Sequence, residues 1–186
     1  MRSLSYFTAC AVCGIAVAAE PPASQEVSVP GEAETPVAAR VQLKPTQGHR
    51  ANGLLSFSSD GKGVRIGGTI KGLQPNAEHG FHIHEKGDCS APDASSAGGH
   101  YNPDGHPHGK PLQGQPHHLG DLVNLRADAK GVANVDAFIE NATLHTSEAS
   151  NVVGKAVVVH QKPDDYRSQP SGDSGDRIAC GVIGSR

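Results

Sequence analysis

Tryptophan is absent from this 186-residue chain, and methionine, phenylalanine and tyrosine occur only one, four and three times. A core must therefore be assembled from Val, Ile, Leu and Ala. Beyond the N-terminal stretch there is no long apolar run, so no ordinary transmembrane helix is expected in the mature chain. Neither sign of charge dominates: 16 Lys and Arg against 19 Asp and Glu leave a net −3. That balance argues against nucleic acid as a partner and offers no polybasic patch to a membrane. The 23 glycines and 13 prolines fall short of a low-complexity composition, yet they are spread so widely that they break any long helical pattern. Short strands and many turns remain, in one domain long enough to bury a real core.

At the N-terminus, Arg2 precedes an apolar run from Tyr6 to Ala19, followed by Glu20, Pro21 and Pro22. Val17-Ala18-Ala19 or Ala16-Val17-Ala18 supplies the small residues of a cleavage site, so residues 1–19 read as a secretory signal peptide. The competing reading is a short hydrophobic helix packed on the domain. Phe7-Thr8-Ala9-Cys10 faintly resembles a lipoprotein site, but the apolar run ahead of Cys10 is short for one. Residues 20–36, rich in Pro, Glu, Ala and Ser, read as a flexible leader. Export implies a periplasmic or extracellular location. Removing the signal takes Cys10 and Cys13 with it and leaves Cys89 and Cys180. An even pair in an exported protein is most simply a disulfide; two thiolate metal ligands are the weaker alternative, since neither has a CxxC partner. Joined, they close a loop of about 90 residues, worth about 4.6 kcal/mol in the chain-entropy treatment.

From Val37 the pattern has period two, and residues 37–186 form the folded domain. Ala39, Val41 and Leu43 alternate with Arg40 and Gln42; Gly53, Leu55 and Phe57 alternate with Leu54, Ser56 and Ser58. The turn Ser59 to Gly63 leads into Val64, Ile66, Gly68 and Ile70 on one face, giving three antiparallel strands. Val123, Leu125 and Ala127, the turn Asp128 to Gly131, and then Ala133, Val135, Ala137 and Ile139 predict a second hairpin. Val152 to His160 is apolar on both faces, as in a central strand, and Ile178 to Ile183 is a short last strand. About eight antiparallel strands must cover one another's apolar faces, which predicts an all-β sandwich or flattened barrel with two long loops.

The stretch from Phe81 to Asp121 holds His82, His84, His100, His106, His108, His117 and His118. In a strand, His82 and His84 share one face while Phe81 and Ile83 share the other, a rigid two-point chelate. The later histidines and Asp121 lie in a Gly- and Pro-rich segment that a bound metal would help to order. His49, His79 and His145 have no metal-like neighbours in sequence and read as surface residues.

GFHIHEKGDC at Gly80 to Cys89, AGGHYNPDGHPHG at Ala97 to Gly109, HLGDL at His118 to Leu122, VVHQKPDD at Val158 to Asp165 and RIACGVIG at Arg177 to Gly184 occur in order. Together they resemble the copper,zinc superoxide dismutases of the exported bacterial type, over nearly everything from Val37 to Gly184. The resemblance implies a Greek-key arrangement of the strands, one copper and one zinc per subunit, and dismutation of superoxide to oxygen and hydrogen peroxide. It makes His82, His84, His100 and His160 the copper ligands, and His100, His108, His118 and Asp121 the zinc ligands. Arithmetic agrees: two four-coordinate sites need eight donors, but six histidines and one aspartate are matched, so one ring serves both ions or water fills a place. Imidazole suits both oxidation states of copper, whereas zinc keeps one state and acts as a prop.

The resemblance also implies that Arg177 orients the anion and that Asp164 hydrogen-bonds His82 and His108. His106 and His117 stand beside matched ligands and would replace them after a small shift of the loop. Against the familiar eukaryotic enzymes, the loop from Gln161 to Asp176 is shorter and carries Lys162 and Arg167, and the segment between Cys89 and His100 is longer. A homodimer is compatible with the family, but its contact does not transfer across that longer segment. A non-enzymatic metal carrier or copper-delivery partner of the same fold is the alternative reading.

Overall fold

The computed structural model describes residues 39–111 and 114–185; the proposed signal peptide and leader lie outside them. Ten strands run through the described residues: β1 (Ala39–Pro45), β2 (Asn52–Ser59), β3 (Gly63–Lys71), β4 (Glu78–His79), β5 (Phe81–His84), β6 (Leu125–Arg126), β7 (Ala133–Glu140), β8 (Ala156–His160), β9 (Arg177–Val182) and β10 (Gly184–Ser185). Eight of them form one antiparallel sheet in the order β5-β8-β9-β1-β2-β3-β7, with β10 also on β1, while β4 and β6 pair separately. The Greek-key connection is visible in that order: β3 passes on to β5 at the far end, and β7 returns to lie beside β3.

Alternation in the sequence explains which way the sheet curls. Ala39, Val41 and Leu43 of β1, Leu55 and Phe57 of β2, Val64, Ile66 and Ile70 of β3, and Ala133, Val135, Ala137 and Ile139 of β7 point inward. They join Phe81, Ile83, Val157, Val159 and Ala179 from the other end in a single apolar cluster, so the sheet covers its own inner face. The turn into β3 is held by the Asp60 carboxylate, which accepts the N–H of Lys62 at 3.0 Å.

Two local expectations are corrected. Leu125 and Arg126 do not ladder with β7; they pair with His79 and Glu78, and the N–H of Ala127 goes to the carbonyl of Ala77 at 2.9 Å. The expected hairpin keeps its turn, in which Asp128 Oδ1 accepts the N–H groups of Lys130 and Val132, and its second strand, β7, but the two strands do not pair with each other. The strand predicted over Val152 to His160 begins only at Ala156, because a turn occupies the residues before it.

The β5-β8-β9 end differs from the rest in being buried on both faces. Its inner face is the main core; its outer face carries Ala156, Val158 and Cys180, covered by Ala94 and Ala97 of the loop after β5. Beside β5 the chain folds back: the N–H of Ile83 donates to Gly120, and the N–H of Tyr101 donates to Ile83, both at 2.8 Å. A Cβ on Gly120 would lie 2.2 Å from the Ile83 carbonyl, so only glycine permits this approach. The returning segments bring Asp121 opposite His82 and His100 opposite His84.

Candidate metal centre

His82 and His84 project from the outer face of β5, and His160 from the same face of β8, where a register shift between Val159 and His160 re-aims the last residue. His100 joins them from the returning loop. These four histidines each offer a ring nitrogen within 4.8 Å of the others. A second group, His100, His108, His118 and Asp121, meets the same condition, and His100 belongs to both. All seven residues are buried.

Hydrogen bonds decide which nitrogen of each ring faces inward. Nδ1 of His84 lies 2.9 Å from the Gly98 carbonyl, and Nδ1 of His160 lies 3.2 Å from that of Gly175. A carbonyl oxygen only accepts, so both Nδ1 atoms carry the proton. The two Nε2 lone pairs then face each other at 3.4 Å, an arrangement that calls for a cation between them. His82 donates from Nε2 to Asp164 Oδ2 at 2.7 Å, which leaves its Nδ1 buried without a partner. Nε2 of His100 is likewise buried and unpartnered. Four imidazole nitrogens with free lone pairs are a donor set that suits copper.

Around Asp121 the geometry is that of a different ion. Its Oδ1 lies 2.7, 3.0 and 3.3 Å from Nδ1 of His100, His108 and His118. Its Oδ2 is turned away and accepts the N–H groups of Gly109 and His118, both at 3.0 Å. Nδ1 of His108 and of His118 lack hydrogen-bond geometry to any group. Three nitrogens and one carboxylate oxygen are a donor set that suits zinc. Asp164 reaches both groups, taking His82 on Oδ2 and Nε2 of His108 on Oδ1 at 3.0 Å.

Electrostatics agree with these roles. Burial, then the neighbouring imidazoles, pushes His84 and His160 well below the ordinary histidine range. Burial also lowers His100, to about 4, despite its contact with Asp121. Burial would lower His108 too, but hydrogen bonds and charge from Asp121 and Asp164 outweigh it and raise the ring to about 9. Burial likewise opposes ionisation of Asp121 and Asp164, yet their histidine partners hold both far below the carboxylate range. His84, His100 and His160 are therefore neutral rings at neutral pH, while Asp121 and Asp164 stay ionised.

Arg177 starts β9 beside His160. Its guanidinium donates to the carbonyls of Ala94 at 2.7 Å and Gly98 at 2.6 Å, rather than pairing with Asp173 or Asp176. It lines one depression with His84, His100 and His160. Cys89 and Cys180 are joined as a disulfide with a Cα separation of 5.8 Å, tying the loop that supplies those carbonyls to β9. A disulfide fits an exported protein.

His106 and His117 stay outside both groups. His106 is exposed and has its backbone held by the Asn102 side chain; His117 is half-buried and turns Nδ1 to the Gln115 carbonyl. His49 is half-buried and His145 exposed. His79 departs from expectation: it is only 2% exposed, and its Nδ1 donates to the His160 carbonyl at 2.9 Å. Two amides also escaped sequence reasoning. Asn124 bonds the backbone of Asp164 in both directions at 2.9 Å, and Gln169 does the same to His108 at 2.9 Å. Such residues act on main-chain atoms far away in sequence, and no local spacing marks them.

Comparison with known proteins gives the same reading. Residues 51–183 match the family model for copper/zinc superoxide dismutase (SODC). The chain is 43% identical over 148 residues to superoxide dismutase (Cu-Zn) 2 of Aquifex aeolicus, covering 78% of this chain and 85% of that protein. It is 38% identical over 139 residues to the extracellular superoxide dismutase (Cu-Zn) of Caenorhabditis elegans, covering 72% and 61%. The crystal structure of a SOD-like protein from Bacillus subtilis superposes with a TM-score of 0.69 at 39% identity, covering 77% of this chain and 96% of that one. With one buried donor set suited to copper, another suited to zinc, and a histidine common to both, the chain belongs to the copper/zinc superoxide dismutase family.

Proposed function

We propose that the domain of residues 37–186 dismutates superoxide, turning two superoxide anions and two protons into one oxygen and one hydrogen peroxide. Copper is held by His82, His84, His100 and His160, and zinc by His100, His108, His118 and Asp121, one of each per subunit. The observation that carries this reading is His100, whose Nδ1 meets Asp121 while its Nε2 is turned, unpartnered, into the four-histidine group. When bound, copper supplies the one-electron redox change and zinc a fixed charge that orders the loop.

The chain's own residues do the rest. Arg177, anchored on Ala94 and Gly98, holds a small anion over His84, His100 and His160 with the donors it has left. Nε2 of His100 takes up and releases the proton that peroxide needs. Asp164 fixes the tautomers of His82 and His108, so that each turns its free nitrogen inward.

The test is the decay rate of superoxide with purified protein loaded with both metals. His82→Ala is expected to abolish the activity, and undiminished turnover in that variant refutes the copper assignment. The second reading, a metal carrier or copper-delivery protein of the same fold without turnover, is not favoured by the relatives named as superoxide dismutases. Two metals bound per chain with no dismutation would select it.

The same reading places the protein in the periplasm or outside the cell, exported by residues 1–19; the disulfide supports it. Sequencing the N-terminus of the mature protein tests this, and a retained Met1 refutes it. Sedimentation equilibrium tests for the homodimer.

A further inference from the structure

Of all the ligands in the two groups, His108 has the least support from its own backbone. His82, His84 and His160 lie in strands, and His100 bridges to His84. The N–H of His118 is held by the Asp121 carboxylate three residues on. His108 lies between Pro107 and Gly109 in a stretch with neither helix nor strand. Its main chain is nevertheless fixed from across the molecule. Its N–H donates to Gln169 Oε1 at 2.9 Å, and its carbonyl accepts from Gln169 Nε2 at 2.9 Å. The same amide donates a third, longer bond to the Arg167 carbonyl at 3.3 Å.

The segment bearing Gln169 is rigid for reasons visible in its bonds. The Asp165 carboxylate accepts from the backbone N–H groups of Arg167 and Ser168 and from the Ser168 hydroxyl. Gly172 closes the loop by donating to the Ser168 carbonyl at 2.7 Å. It packs so tightly that a Cβ there would lie 1.8 Å from Asp164 Oδ1. Asp164, five residues before Gln169, takes Nε2 of the His108 ring. One short segment therefore grips one ligand at two points, the ring by Asp164 and the backbone by Gln169. With both fixed, Nδ1 is aimed at Asp121 Oδ1, 3.0 Å away.

We infer that Gln169 is a positioning residue for the zinc site, presetting the His108 backbone so that zinc meets an ordered ligand. The inference rests on the reading of His100, His108, His118 and Asp121 as zinc ligands. The amide touches no metal and acts only through His108. Groups around a metal ligand commonly change affinity by about 10–100-fold when removed, and Gln169 belongs at the lower end because its bonds are partly exposed.

The experiment titrates cobalt(II) into metal-free protein, follows the visible bands of the tetrahedral ion, and displaces it with zinc under a competing chelator. The parent, Gln169→Ala and Gln169→Glu are compared, together with the thermal midpoint of each metal-free protein. Gln169→Ala is expected to bind zinc about tenfold more weakly, with altered cobalt bands and an unchanged metal-free midpoint. Gln169→Glu keeps an acceptor for the His108 N–H and should fall between the two. Zinc affinity equal to the parent's overturns the inference. So does a loss matched by a lower metal-free midpoint, which would assign Gln169 to the fold at large. A parent protein that gives no tetrahedral cobalt spectrum sinks the zinc reading itself and the inference with it.

Discussion

The two ends of the sheet solve different problems with the same strand. In β7 burial alternates residue by residue from Ala133 to Glu140, whereas every residue of β5 and β8 is buried. The β1-β2-β3-β7 end has one face in the core and one in water, so its stability comes from apolar burial that its own sequence supplies. The β5-β8-β9 end has a second face, covered by loops, and into that face it puts His82, His84 and His160. Buried imidazoles with unpartnered nitrogens destabilise a chain unless an ion takes up the lone pairs. The first end is a scaffold complete in itself; the second is completed by its metals and its disulfide.

The sharpest way to break this contrast is to damage the scaffold alone. Phe57→Ala removes a fully buried ring from β2 and is expected to cost about 3–5 kcal/mol in denaturant unfolding, while copper and zinc still bind to one equivalent each below the transition. Metal loss in parallel with the lost stability would show that the ends are not separable. At the other end, Cys180→Ser opens a loop whose ends are 91 residues apart and should cost about 2–5 kcal/mol. That loss should be accompanied by lower turnover, because Ala94 and Gly98 lose their tether to the strand bearing Arg177.

Next in size is Arg177→Leu, expected to lower kcat/KM by about tenfold with metal content and thermal midpoint little changed. An effect on the midpoint as large as that of the disulfide would make Arg177 a structural residue. The smallest effect is expected from pH on the metal-free protein. His84, His100 and His160 have folded pKa values below their unfolded ones, so the stability linked to their neutral forms is present above about pH 6.5 and is lost as pH falls. For His100 the loss runs down to about 4. His108 has the opposite sign: its raised value contributes below its unfolded pKa and is lost as pH rises through about 9. Three lowered rings against one raised ring predict a lower thermal midpoint at about pH 5 than at about pH 7.5. The inner faces of β2 and β3 carry no ionisable group that would contribute.

Legibility in the sequence follows the same division. The faces of β1, β2, β3 and β7 could be read from alternation because one side of each strand meets water. The hairpin expected between Val123 and Ile139 did not pair because the main chain of Leu125 and Arg126 found partners in β4, 48 positions earlier in the case of Arg126 and Glu78, which no local pattern signals. Val123, expected to face the core, is 46% exposed for the same reason. His79 read as a surface residue because nothing near it in sequence binds metal; only the fold carries it against the His160 carbonyl. His108 and His118, rather than His106 and His117, follow the family spacing, and the structure gathers that pair around Asp121.

What the amino-acid order settled alone is chemical: which donors exist and how apolar residues alternate to make a curled sheet. What it left open is direction. An imidazole presents one of two nitrogens, and the choice belongs to whatever hydrogen bond holds the other. Those partners, Gly98, Gly175 and Asp164, are separated from the rings they orient by as many as 82 positions in the case of His82 and Asp164. Only a folded chain can bring such atoms to within 3 Å or so of each other, and so only the tertiary structure could aim the rings.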